Sequence, residues 1–166
     1  EHRGHNWNLI MTAPVRPFAL YAAKFCVVAK MALLTQIWLL VLFLIGGKLG
    51  AGLTGFPPPE ILLWLLRGAV GSLPIIAIQL LLSMVIRNFA LPVLMALGGS
   101  ILGLMATTSN AGLFWPYSLM LMGMNSNRTE DVMTGQLPGF FLSCIIFLAI
   151  FLLTADAVLA KQDVKA

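Results

Sequence analysis

The chain has 166 residues, of which 60% are hydrophobic and only 10% charged, with a mean hydropathy of +0.95; a water-soluble domain carries about 25% charged residues to cover its surface. This composition excludes an ordinary soluble globule and assigns the chain to a bilayer. The net charge of +4 reflects how loop charges are distributed between apolar blocks and does not point to nucleic-acid binding.

The chain opens on a polar segment, residues 1–24, that contains His2, His5 and Trp7. A short amphipathic helix is predicted around Trp7–Met11. It should end near Thr12, Ala13 and Pro14, because the residue before a proline is pushed out of helical geometry. A second helical turn around Phe18–Tyr21 then leads into the first apolar block. No initiator Met precedes Glu1, so the chain reads as a portion of a longer protein. The blocks are Phe25–Ile45, Ile61–Ile86, Phe89–Ala106 and Phe140–Ala155, the last extending to roughly residues 138–159. At about 1.5 Å per residue these lengths suit a hydrocarbon core of about 30 Å. Their apolarity is continuous rather than alternating, which rules out barrel strands. The expected fold class is all-α, a polytopic transmembrane helical bundle of four spans near 25–45, 61–86, 89–106 and 138–159.

The connections differ in character. Gly46–Glu60, with five glycines followed by Pro57, Pro58 and Pro59, is expected to be a flexible loop with a stiff end. Arg87 and Asn88 make a tight turn. Ala111–Met124 is apolar and holds Phe114, Trp115 and Tyr117, aromatics that favour the headgroup zone. It is expected as an outer interfacial or re-entrant helix; at roughly 14 residues against the roughly 20 needed, it is too short for a fifth span. Asn125–Gly135 is polar and includes the glycosylation-type triplet Asn127, Arg128 and Thr129. With the first segment on the inner side, seven of the ten Lys and Arg lie inside, and Lys48, Arg67 and Arg128 lie outside. The positive-inside rule then makes both ends cytoplasmic. Lys30 and Arg67 fall within apolar blocks and are expected to snorkel.

Small residues at Gly98, Gly99, Ser100 and Gly103 give the third block a face suited to close helix packing. Pro74 and Pro92 should kink or loosen their helices. Gln36 and Gln79, the deepest polar residues of the first two spans, are expected to hydrogen-bond between helices. Cys26 and Cys144 fall in separate blocks and read as packing thiols. The two histidines lack metal-ligand spacing, there is no P-loop, and the carboxylates sit at or beyond the span ends, so neither a catalytic set nor an intramembrane ion relay is visible. A membrane-embedded enzyme would need polar groups at matching depth in two spans; a non-catalytic assembly or accessory protein would not.

The first segment resembles the cytoplasmic loop of ABC-2 type ABC-exporter permeases, in which an acidic–basic–Gly start is followed by Leu, Pro-Val and a Lys at the head of a span. Glu1, Arg3, Gly4, Leu9, Pro14, Val15 and Lys24 match that order. The run Trp7, Asn8, Leu9, Pro14 and Tyr21 through Lys24 looks most like the lantibiotic-immunity and bacitracin-type peptide exporter branch. His5 to Asn8 stand where most of the wider family has a Thr and a Glu. The resemblance implies a coupling segment at residues 1–24, a transmembrane domain at 25–160 and a cytoplasmic tail at 161–166, corresponding to spans three to six of the family. It further implies a permease that dimerises as a homo- or heterodimer in a bacterial inner membrane. Such a permease has no cofactor of its own, and ATP is bound by a separate ATPase subunit that docks on Glu1, Arg3, Gly4, Trp7, Leu9, Pro14, Val15 and Lys24. The cargo would be a hydrophobic or amphipathic compound such as a peptide antibiotic, with Trp115 and Tyr117 shaping its exit.

Overall fold

The computed structural model describes residues 17–52, 54–109, 111–126, 128 and 130–163. The expected Trp7–Met11 helix, the coupling residues Glu1 to Val15, and Asn127 and Thr129 of the triplet lie outside the described residues. Four helices are long and apolar enough to cross a membrane: α1 (Pro17–Ile45), α2 (Glu60–Val85), α3 (Ala90–Thr107) and α5 (Leu137–Asp163). A short helix, α4 (Pro116–Gly123), follows a single 3-10 turn at Gly112–Phe114. No strand occurs among the described residues, and the expected all-α bundle holds. The end where α1 begins is called proximal below, and the opposite end distal.

Two boundaries depart from expectation. The first helix starts at Pro17, so the turn around Phe18–Tyr21 is continuous with the span. Proline at this position supplies a preset φ and lacks only an N–H that the first turn leaves unpaired anyway. At its far end α1 passes into a π-helical turn, Gly46–Gly50, closed by Ala51 N–H donating to the Gly46 carbonyl at 3.1 Å. The glycine-rich stretch is therefore partly helical rather than a free loop. Lys48 Nζ lies 3.8 Å from the Phe56 ring centre, a cation–π contact across the distal loop.

Neither Pro74 nor Pro92 interrupts its helix. Pro92 is the third residue of α3, within the first turn, where no intrahelical N–H bond is lost. Pro74 is interior to α2, which continues helically through it. The α2–α3 turn is short because Asn88 Oδ1 accepts the Ala90 N–H at 2.9 Å and starts the next helix.

Large apolar side chains face outward along the spans: Trp38, Leu94, Leu97, Met105 and Leu153 are each more than half exposed. A water-facing surface could not sustain such a patch; in hydrocarbon it is the expected exterior. The interior consists of two small cores. The proximal one joins Tyr21 of α1, Leu81 and Met84 of α2, and Ala155 and Leu159 of α5. The distal one joins Leu119 and Met122 of α4, Met133, and Phe140 and Cys144 of α5. Both cysteines are free thiols, Cys26 exposed and Cys144 buried.

Candidate functional site

The segment after α3 turns back into the bundle. Pro116 divides the expected Ala111–Met124 helix: Trp115 is extended (φ −125°, ψ 120°), and Pro116 opens α4, as the geometry before a proline requires. At the far end Asn125 takes a left-handed φ of 51°. Its N–H donates to the Met122 carbonyl at 3.1 Å, and Ser126 N–H donates to the Leu121 carbonyl at 3.1 Å. These are the two bonds of a Schellman stop, which satisfies carbonyls left over at the helix end. Sequence chemistry thus fixes an eight-residue helix with firm ends.

Close backbone approach holds that helix as a wedge between α2 and α3. A Cβ on Gly71 would lie 2.6 Å from the Leu119 carbonyl oxygen, and one on Gly123 would lie 2.7 Å from the Arg67 carbonyl oxygen. On the α3 side, a Cβ on Gly99 would lie 2.7 Å from the Tyr117 ring, and one on Gly103 3.0 Å from the Tyr117 carbonyl carbon. The small face of the third block therefore packs on the re-entrant helix, through Gly99 and Gly103. Gly98 differs, since a Cβ there would meet nothing within 4 Å; it points away from the wedge.

Trp115 and Tyr117 reach the middle of the spans rather than the headgroup zone. Trp115 Nε1 donates to the Gly99 carbonyl at 2.9 Å, and Gly99 is the tenth of the eighteen residues of α3. Gln79 Nε2 donates to the Tyr117 hydroxyl, and Tyr117 is 8% exposed. Each aromatic has a polar group that must be satisfied; here a backbone carbonyl and an amide do what interfacial water would do elsewhere. Of the two deep glutamines, Gln79 thus bridges helices, whereas Gln36 is buried with its Oε1 unpartnered among the described residues. Two residues before Gln79, the Ala77 carbonyl accepts the Tyr21 hydroxyl at 2.8 Å. Two polar ties, two residues apart on α2, therefore join it to α1 and to α4.

At the distal end Arg67 does not snorkel. Its side chain is 6% exposed and pairs with Asp131, Nη1 lying 2.9 and 2.8 Å from the two carboxylate oxygens. Glycine at 123 lets α4 sit against the Arg67 backbone. Partial burial alone would push the Asp131 carboxyl up. The Arg67 hydrogen bond, the Met133 N–H, the guanidinium charge and the nearby Trp64 indole together outweigh that and hold it below the usual carboxylate range. Arg128 Nη2 donates to the Thr107 carbonyl at 2.8 Å, placing a cation at the C-terminus of α3, where the helix dipole favours one. The sequence alone located Arg67 and the polar 125–135 segment, but nothing local pairs residues 64 positions apart.

Below the wedge, toward the proximal turn, α2 and α3, with Val28 of α1, line an open groove of about 1090 Å³. Its walls are apolar apart from Ser83, Gln79 faces it near the wedge, and Arg87 and Asn88 stand at the proximal mouth. Lys24, the coupling residue that falls among the described ones, is in α1 near that same end. No group of His, Cys, Asp and Glu suited to a metal occurs among the described residues. The arrangement offers positioning and apolar accommodation, with no nucleophile beside a base.

Comparison with known proteins agrees with this architecture. No curated protein and no solved structure gives a significant match. The family model described as ABC-2 family transporter protein matches residues 1–103, which take in the leader, α1, α2 and most of α3. Four span-length apolar helices, a re-entrant wedge between two of them and this match over more than half of the chain lead to one conclusion: it is a multi-pass membrane protein that belongs to the ABC-2 transporter family, the membrane component of an ABC transport system.

Proposed function

We propose that the chain is the permease subunit of an ABC exporter, moving a hydrophobic or amphipathic compound such as a peptide antibiotic, with a separate ATPase subunit supplying the energy. The observation that carries this reading is that the family match begins at residue 1 and covers the leader and α1 together. Glu1, Arg3, Gly4, Trp7, Leu9, Pro14, Val15 and Lys24 then form the docking surface, and α1 is the lever behind it. A helix unbroken from Pro17 to Ile45 moves as a rigid body. Tyr21 ties it to α2 beside Gln79, and Gln79 ties α2 to the re-entrant helix. A push at the leader would thus reach the element that holds α2 and α3 apart, the kind of two-state device that an ATPase can bias. The paired permease is a second copy or a related chain, and the membrane is a bacterial plasma membrane.

In the assembled transporter, Trp7→Asp with Leu9→Asp should leave membrane insertion intact and lower substrate-stimulated ATPase activity at least about tenfold, the effect of losing roughly 1.4 kcal/mol of docking energy. Unchanged stimulation would remove the docking role. The orientation follows from the excess of Lys and Arg on the leader side. It is checked by placing single cysteines at Asn8 and Ser126 and treating intact cells with an impermeant thiol reagent. Ser126→Cys should react and Asn8→Cys should not; the reverse pattern would invert the topology.

A further inference from the structure

We propose that the groove between α2 and α3 seats one acyl chain of an anionic phospholipid, with the lipid phosphate paired to Arg87. The inference concerns a lipid of the surrounding bilayer, not the cargo, and does not depend on the transport reading.

The groove's dimensions suit a chain from one leaflet. The lining runs from Arg87, two residues past the end of α2, to Ile75, and the ten steps of helix from Ile75 to Val85 alone cover about 15 Å. One leaflet contributes about half of a hydrocarbon core of about 30 Å. Ile76, Leu80, Val93 and Ala96 supply an apolar lining to the open volume of about 1090 Å³. An extended peptide laid there would leave its backbone N–H and C=O groups unpaired against those walls, at a cost of several kcal/mol each; a hydrocarbon chain has no such groups.

The mouth selects the headgroup. Arg87 is exposed and makes no hydrogen bond or ion pair with any described residue. Asn88 has its Oδ1 committed to the Ala90 N–H, so its amide N–H groups remain as further donors. No carboxylate lines the groove. A phosphate with no compensating cation fits this mouth, whereas the ammonium of a zwitterionic headgroup would face a guanidinium with no acid to balance it. Charged side chains between membrane helices near the interface bind anionic headgroups on this basis, and arginine suits phosphate in particular because its planar fork can donate two bonds at once.

The test uses the intact permease in nanodiscs, with diazirine-tailed phosphatidylglycerol or phosphatidylcholine of identical chains, and quantifies adducts on residues 75–96 by mass spectrometry. Phosphatidylglycerol should label the groove about fivefold more than phosphatidylcholine, the effect of one basic residue near the surface. Arg87→Gln should bring the two lipids to parity, and Arg87→Lys should retain most of the preference. Ala96→Leu, and more strongly Ala96→Trp, should reduce adducts from both lipids by filling the chain site. Equal labelling in the unaltered protein, or a preference that survives Arg87→Gln, would overturn the proposal. Displacement by chainless glycerol phosphate would overturn it too, because the site would then bind phosphate without a chain.

Discussion

Asp131→Asn should destabilise the distal half of the bundle by about 3 kcal/mol, because it leaves Arg67 charged, nearly dry and unpaired. Removing one partner of a buried ion pair costs about 3–5 kcal/mol. The lower figure applies here because the Asp131 side chain is 27% exposed, so water can partly replace it. Cys144 provides the readout. It is buried in the distal core beside Met133 and Phe140, so in a Cys26→Ser background a thiol-reactive fluorophore reports opening of that core alone. The double variant Arg67→Met with Asp131→Leu should recover most of the loss, since a matched apolar pair often does as well as the ions it replaces. Failure to recover would mean that Arg67 works through something other than Asp131.

The pH dependence of this pair follows from its direction. The folded-state pKa of Asp131 lies below the usual value, so its contribution is fully present above the unfolded carboxylate pKa and is lost as pH falls through the folded one. The thermal-unfolding midpoint should therefore be insensitive to this group from about pH 5 to 8 and fall below about pH 4; thiol labelling is no readout there, because the reactive thiolate is lost in acid. In Asp131→Asn that acid step should be smaller.

The second large effect belongs to the wedge. Gly71→Ala sets a methyl against the Leu119 carbonyl and the Met120 nitrogen at 2.6 to 2.9 Å. These are backbone atoms that cannot rotate aside, so α4 must shift, at about 1–3 kcal/mol. Gly98→Ala is the control. A methyl there meets nothing, and alanine gains up to about 1 kcal/mol of helix propensity over glycine. Gly71→Ala should therefore speed Cys144 labelling and Gly98→Ala should slow it or leave it unchanged. Equal behaviour of the two variants would show that the small residues serve helix flexibility rather than the seat of the re-entrant helix.

Pro116 can be recognised locally as a helix start and Gly99 as belonging to a small face, yet nothing local brings the two together. The aromatics at 115 and 117 carry the pattern of interfacial anchors, and on that pattern alone they belong near the headgroups. What moved them inward was the presence of Gly99 and Gln79, partners set by how α2 and α3 cross. Arg67 is parallel: within an apolar block the default is to snorkel, and only a carboxylate delivered from the 130s makes burial tolerable.

The number, length and helical nature of the spans were settled by the sequence itself, because continuous apolarity over about twenty residues has one solution in hydrocarbon: every backbone group bonded within its own segment. The tertiary structure alone decided that a helix too short to span would wedge itself between α2 and α3, and that it would leave a groove beneath. That outcome depends on glycine contacts and polar pairs between residues distant in the chain, and lipid, being as apolar as the helices, supplies no burial force to select among packings. Close fit and hydrogen bonding make the selection, and both exist only once the helices meet.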